Sequence, residues 1–144
     1  LYGMSVVEGR TGADFGLRPA MSLHTRLIAV NRVAAGEPIG YAATWRCPEA
    51  MDVGVAAIGY GDGYPRRVGE GAVVLVNGVR VPIIGRVSMD LMTLDLRGVP
   101  GAAAGDPVLC WGPDLPVEEV AAHAGTIAYE LTCSITRRVR FVEA

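Results

Sequence analysis

Three stretches of this sequence gather side chains able to do chemistry. Ile58 to Arg67 reads Ile-Gly-Tyr-Gly-Asp-Gly-Tyr-Pro-Arg-Arg, with three glycines, two tyrosines, one aspartate and two arginines in ten residues. Glycines there permit close backbone approach or positive φ, and Arg66 and Arg67 can grip a carboxylate or phosphate bidentately. The GxGxxG spacing of a dinucleotide loop is absent, so a decorated surface loop accounts for the run equally well. Gly40-Tyr41-Ala42-Ala43-Thr44-Trp45 sets a tyrosine among small residues, which leaves room for another body to approach its hydroxyl. The competing reading is a barrel tyrosine whose tip is hydrogen-bonded. A phenol titrates near a pH of about 10, so it acts as a base near neutrality only where cations stabilise the phenolate. In Ile83 to Asp90, Arg86, Met89 and Asp90 lie close together. An Asp beside a Met at the start of a strand commonly means a capping carboxylate and a core thioether, and this run alone decides nothing.

What is missing narrows the chemistry further. All thirteen basic residues are arginine, and lysine is absent. A Schiff base to pyridoxal phosphate cannot be anchored by this chain alone, and Lys-dependent P-loop binding is excluded. The net charge of −2 gives no electrostatic reason to expect nucleic acid or an anionic membrane as partner. No apolar run reaches the roughly 18–20 residues of a membrane span, and no basic-then-apolar leader opens the chain. Cys47, Cys110 and Cys133 are widely spaced with no CxxC pair, which suits buried reduced thiols in a cytoplasmic protein. His24 and His123 show no ligand spacing, and no metal site is expected.

The elements that must position these residues read as short strands. At 144 residues with 51% apolar side chains, the chain has material for one domain with a core. Nineteen glycines, roughly twice the usual ~7% share, and nine prolines imply many tight turns. Residues 1–20, rich in glycine and without clear periodicity, read as a connecting segment, the abrupt opening at Leu1-Tyr2-Gly3 points to a piece of something longer, and residues 21–144 read as the β domain. Strands are expected over 22–33, 53–58, 73–81, 88–96, 107–111 and 138–142. Asn77-Gly78 between β-branched runs is the signature of a type I′ hairpin, and Pro82 demotes the strand after it to an edge or bulge. One helix is expected over about 116–124, where Val117, Val120, Ala121 and Ala124 repeat at helical spacing and Gly125 is a natural stop. Many short strands with one short helix indicate an all-β fold, a Greek-key-like closed β-barrel.

Met21-Ser22-Leu23, Ala35-Gly36-Glu37-Pro38, Gly40-Tyr41, Gly59-Tyr60-Gly61-Asp62-Gly63-Tyr64-Pro65-Arg66, Val76-Asn77-Gly78, Pro82-Ile83-Ile84-Gly85-Arg86-Val87-Ser88-Met89-Asp90 and Tyr129-Glu130-Leu131 occur in this order. Together they resemble the C-terminal β domain of bacterial alanine racemase, over nearly the whole chain. The resemblance implies a homodimer dependent on pyridoxal 5'-phosphate that interconverts L- and D-alanine, a peptidoglycan precursor, through a cofactor-stabilised carbanion. It implies an N-terminal (β/α)8 barrel that holds the cofactor on a lysine, with the β domain reaching into the partner's site. Tyr41 then matches the base that takes the α-proton of L-alanine, and Met89 the residue whose backbone amide meets the substrate carboxylate. Tyr60, Asp90, Arg66 and Arg86 match the substrate entryway. In some members a tyrosine beyond the Tyr-Glu block touches the cofactor phosphate, and the matching position here is Arg137. An arginine can face a phosphate, but a solvated terminal charge is the plainer reading, so no cofactor contact is carried over to it.

Racemisation removes a proton from one face of a planar carbanion and returns one to the other, so two bases on opposite faces serve it without moving the substrate. A chain without lysine then carries one face's base, and is expected to be inactive alone. Two alternatives stand beside this: the β domain of a related pyridoxal-dependent amino-acid racemase or decarboxylase, and a non-catalytic β-barrel binding module.

Overall fold

Alternation of β-branched and small residues, broken by glycine turns, folds this chain into strands that close on themselves. The computed structural model describes residues 2–143, with the side chain of Tyr41 outside what is described. Eight strands form among them: β1 (Leu23–Val33), β2 (Pro38–Ile39), β3 (Trp45–Arg46), β4 (Met51–Ala56), β5 (Val73–Val76), β6 (Val79–Ile84), β7 (Met92–Asp95) and β8 (Pro107–Trp111). Six close an antiparallel barrel in the order β1-β4-β7-β6-β5-β8. Strands β5, β6 and β7 are sequential neighbours, whereas β4, which precedes them, pairs with β7; this is the Greek-key arrangement.

Two strands change partners along their length, which lets a small barrel turn its corners. The first, β1, pairs with β8 through Leu23–Arg26 and with β4 from Leu27 onward, with a register shift between Leu27 and Ala29. The other, β6, pairs with β5 through Pro82 and with β7 from Ile83. Pro82, which lacks an N–H, thus sits where one ladder ends and the next begins. The β5–β6 hairpin turns through Asn77 and Gly78 at φ of 50° and 80°, as a type I′ turn requires.

The core fills the barrel with Leu27, Val74, Leu94, Val108 and Trp111, all essentially without exposure. A smaller cluster of Ile39, Cys47, Met51, Val53 and Ile84 lies beside it. That satellite anchors the β2–β3 ribbon, in which Pro38 pairs with Arg46 and Ile39 with Trp45. The ribbon's tip carries Tyr41.

Several expectations need correction. Ser88–Leu91 is a turn, not the start of a strand: the Ser88 N–H donates to the Leu91 carbonyl at 2.9 Å, and the Leu91 N–H to Ser88 Oγ at 3.0 Å. Met89 and Asp90 therefore sit on a turn, and β7 begins at Met92. Residues 138–142 form no strand, because the barrel is already closed and offers no edge to pair with. Beside α1 (Val117–Ala124), ended by Gly125 at φ 68°, a second helix, α2 (Ala128–Ser134), packs through Ala128 and Leu131. With Thr132, Cys133 and Ser134 in two turns, α2 has little intrinsic preference, and tertiary packing supplies what propensity does not. Cys47 and Cys110 are buried, but Cys133 is exposed.

The opening segment docks on the barrel side. Met4 is buried in the core, and Glu118 Oε1 on α1 accepts the N–H groups of Ser5 at 2.7 Å and Gly12 at 2.8 Å. Among the described residues no helix is long and apolar enough to cross a membrane, and no group of three or more His, Cys, Asp and Glu side chains could hold a metal ion.

Candidate functional site

The turn after β4 is shaped by what its glycines omit. A Cβ on Gly59 would lie 2.3 Å from the Ser88 carbonyl oxygen and 2.4 Å from that of Met89. No side chain fits there, so the two backbones touch directly. The Tyr60 N–H donates to the Ser88 carbonyl at 3.0 Å and the Gly61 N–H to the Met89 carbonyl at 2.8 Å. The Gly59 N–H donates to Asp62 Oδ2 at 2.9 Å, closing the 3-10 turn Tyr60–Asp62 on itself. These contacts hold Tyr60 next to the Met89–Asp90 turn. With its carbonyl occupied by Gly61, Met89 presents an N–H that donates to no group among the described residues.

The same rim gathers cationic side chains. The Arg66 guanidinium stands over the Tyr60 ring, 5.9 Å from its centroid, a distance at which the ring quadrupole attracts a cation. Arg66, Arg67 and Arg86 line a groove of about 590 Å³, together with His123 and the end of α1. An adjoining cavity of about 480 Å³ runs from Tyr60 past Arg67 to Glu130 and Ser134.

The β2–β3 ribbon brings its tip to this rim. Gly40, at φ 73°, packs so closely that a Cβ would stand 3.2 Å from the Arg86 backbone nitrogen. Tyr41 is the first residue of a 3-10 turn, Tyr41–Ala43. Its side chain lies outside the described residues, so neither the barrel-tyrosine reading nor the exposed-base reading is decided by its contacts. Its backbone belongs to the ribbon tip rather than to a barrel strand.

Tyr64 can be set apart from the other tyrosines. Its ring stacks on Trp111 at 6.0 Å between centroids and is 1% exposed. Burial, with the nearby Cys110 thiol adding to it, pushes its phenol far above the ordinary range, so it stays neutral. Burial likewise pushes the Cys110 thiol up to about 12. Neither group is a base or nucleophile near neutrality.

Of the positions singled out by sequence, the structure brings Tyr60, Arg66, Met89 and Asp90 together and sets Arg86 on the shared groove. It leaves Arg137 out, exposed and without an ion pair among the described residues. The neighbour that sequence reasoning passed over, Arg138, makes the connection instead. Its Nε lies 3.2 Å from Asp62 Oδ1 and its Nη2 donates to Asp90 Oδ1. The hydrogen bond to Asp90, supported by the Asp62 charge, raises Arg138 above the ordinary arginine range. An Arg-Arg pair signals no preference between its members, and only the return of the 134–138 segment to the 59–63 turn distinguishes them. The Thr136 N–H donates to the Asp62 carbonyl at 3.1 Å, and Thr136 Oγ1 donates to the Gly61 carbonyl at 3.0 Å.

The residues present do not make a pyridoxal phosphate site on their own. No lysine is available for the aldehyde, and Arg137, at the position the resemblance ties to a phosphate, is exposed.

The chain is similar to known proteins over nearly its whole length. Residues 20–143 match the family model described as alanine racemase, C-terminal domain. An alanine racemase of Nitrosococcus oceani is 63% identical over 139 residues, covering 96% of this chain and 39% of that protein. One of Piscirickettsia salmonis is 51% identical over 142 residues, covering 99% of this chain and 86% of that protein. The crystal structure of the biosynthetic alanine racemase from Pseudomonas aeruginosa superposes with a TM-score of 0.93 at 46% identity, over 96% of this chain and 38% of that one. The chain thus spans about two fifths of the Nitrosococcus and Pseudomonas proteins. From the glycine-shaped rim, the six-stranded barrel and these matches together, the chain belongs to the alanine racemase C-terminal domain family.

Proposed function

We propose that this chain works as the β domain of an alanine racemase, contributing one of two proton-transfer groups and part of the substrate corridor to the active site of a partner subunit. The observation that carries the reading is the convergence of the Gly40–Tyr41 tip, the 59–63 turn and the 88–90 turn on one rim, in a chain whose relatives are named alanine racemases.

On this reading Tyr41 takes the α-proton of L-alanine and returns one in the reverse direction. Its phenol needs nearby positive charge to work near neutrality, and most of that charge would come from the cofactor and from residues outside this chain. The free Met89 N–H donates to the substrate carboxylate. Tyr60, Arg66, Arg86 and Asp90 line the approach, where arginines attract a carboxylate and exclude cations. Pyridoxal phosphate, held by residues outside this chain, supplies the electron sink that acidifies the α-carbon. The second base also lies outside this chain, which has no lysine.

The test is chiral analysis of alanine incubated with the longer protein that contains this chain, and with the chain alone. The reading predicts interconversion of L- and D-alanine by the longer protein once pyridoxal phosphate is supplied, and none by the chain alone. Failure of the longer protein to racemise alanine under those conditions refutes it.

A further inference from the structure

The guanidinium of Arg138 occupies the space that Gly61 leaves. A Cβ on Gly61 would lie 2.3 Å from Arg138 Nη1. From there one planar group reaches two carboxylates on different turns: Asp62, through Nε at 3.2 Å, and Asp90, through Nη2. The Asp62 side chain is 14% exposed and also receives the Gly59 N–H at 2.9 Å, so the 59–63 end of the tie is fixed. Asp90 is 57% exposed on a turn whose neighbour Met89 is itself 51% exposed. The turn is bonded internally between Ser88 and Leu91, and the backbone bonds from Tyr60 and Gly61 and this ion pair tie it to the rest of the rim. The Arg138 N–H donates to Thr136 Oγ1 at 3.4 Å, so the clamp grows from a segment already bonded to the 59–63 turn.

We propose that Arg138 is a positioning residue, tying Asp62 to Asp90 so that the Met89 N–H keeps the orientation in which it receives the substrate carboxylate. The inference rests on the proposed role of Met89 as carboxylate donor. A guanidinium suits the task because its fork serves two acceptors at once, where a lysine ammonium is a single flexible point charge. Without it Asp90 loses its cationic partner, Asp62 keeps the Gly59 N–H alone, and the exposed turn is tied to the 59–63 turn by its backbone bonds only, which loosens it. Binding of the carboxylate then weakens while the proton-transfer groups are untouched, which separates KM from kcat.

The experiment uses the longer protein carrying Arg138→Ala, Arg138→Lys or Tyr41→Phe, with two readouts. Amide hydrogen exchange at Gly61, whose N–H is held by the Met89 carbonyl, reports the tie independently of activity. It is expected to quicken about tenfold in Arg138→Ala and less in Arg138→Lys. Steady-state kinetics report the consequence: KM for both enantiomers of alanine rises about tenfold in Arg138→Ala with kcat within about threefold, and added guanidinium ion recovers part of the loss. Unchanged exchange at Gly61, or unchanged KM with normal exchange elsewhere, overturns the proposal. Should Arg138→Ala fail to fold, the lysine variant decides on the same two readouts. Wild-type proton exchange in Tyr41→Phe sinks the functional reading instead, whereas a damaged Tyr41→Phe beside a silent Arg138→Ala sinks only this inference.

Discussion

The N–H of Gly61 donates to the carbonyl of Met89 across 2.8 Å, joining the turn after β4 to the turn before β7. Neither turn belongs to the barrel ladder, yet β4 and β7 are paired from Val53 with Asp95 to Ala56 with Met92. The rim is therefore an extension of a strand pair, and the two turns inherit their separation from the barrel. A small β domain can in this way hold two loops in a fixed relation without making them part of the ladder.

The fit at this junction makes Gly59 sensitive to a single added carbon. Gly59→Ala must displace the Ser88 and Met89 carbonyls, and we expect it to lower stability by about 1–3 kcal/mol, as overpacking does. Denaturant melts check this. A melt unchanged from the parent would mean that the two backbones can part without cost.

Tyr64 offers the opposite case. Its hydroxyl is buried with no hydrogen-bond partner among the described residues, as is Nε1 of the stacked Trp111. Tyr64→Phe keeps the stacked ring and removes an uncompensated polar atom. Stability is expected to stay the same or rise by up to about 1 kcal/mol. A loss beyond about 1 kcal/mol would contradict this account of the core.

Glu118 governs the opening segment. Its Oε1 accepts two backbone N–H groups, from Ser5 and Gly12. Glu118→Ala is expected to free residues 5–15 from α1, seen as faster limited proteolysis there with cleavage elsewhere unaltered. The lost charge-assisted bonds should cost about 1–3 kcal/mol. Unchanged cleavage would show that Met4 alone holds the segment.

The acid limb of stability should be carried by paired carboxylates. Burial pushes Asp95 up, but hydrogen bonds from the Arg97 guanidinium and backbone N–H outweigh it and leave its pKa lowered. The hydrogen bond from Arg80 lowers Glu119 in the same way. A folded pKa below the unfolded one contributes stability that is complete above the unfolded value and disappears as pH falls through the folded value. Melting temperature should thus be nearly flat down to a pH of about 5 and drop below about 4. In Asp95→Asn the drop should be shallower, and an unaltered acid limb in that variant would contradict the assignment.

Much of this was readable in the sequence because local chemistry determined it. Asn77-Gly78 dictated its hairpin, the Val117–Ala124 repeat its helix, and the run of short apolar segments a closed barrel. What escaped depended on contacts distant in sequence. The second helix has only two turns and no periodic signal, and exists because it packs beside α1. The segment after it looked like a strand, and the closed barrel left it nothing to pair with. Arg137 and Arg138 were indistinguishable until the chain's return past Asp62 and Asp90 chose the second. A glutamate in a first helical turn ordinarily serves the helix dipole, whereas the partners of Glu118, the N–H groups of Ser5 and Gly12, lie more than a hundred residues away.

The central claim, that Tyr41 serves the L-face of the substrate, is most directly tested by α-deuterium exchange. In the longer protein carrying Tyr41→Phe, incubated in deuterated water with each enantiomer separately, wash-in at the α-carbon of L-alanine should slow by orders of magnitude, while wash-in at D-alanine stays near the parent rate. Equal, small losses for the two enantiomers would contradict the account.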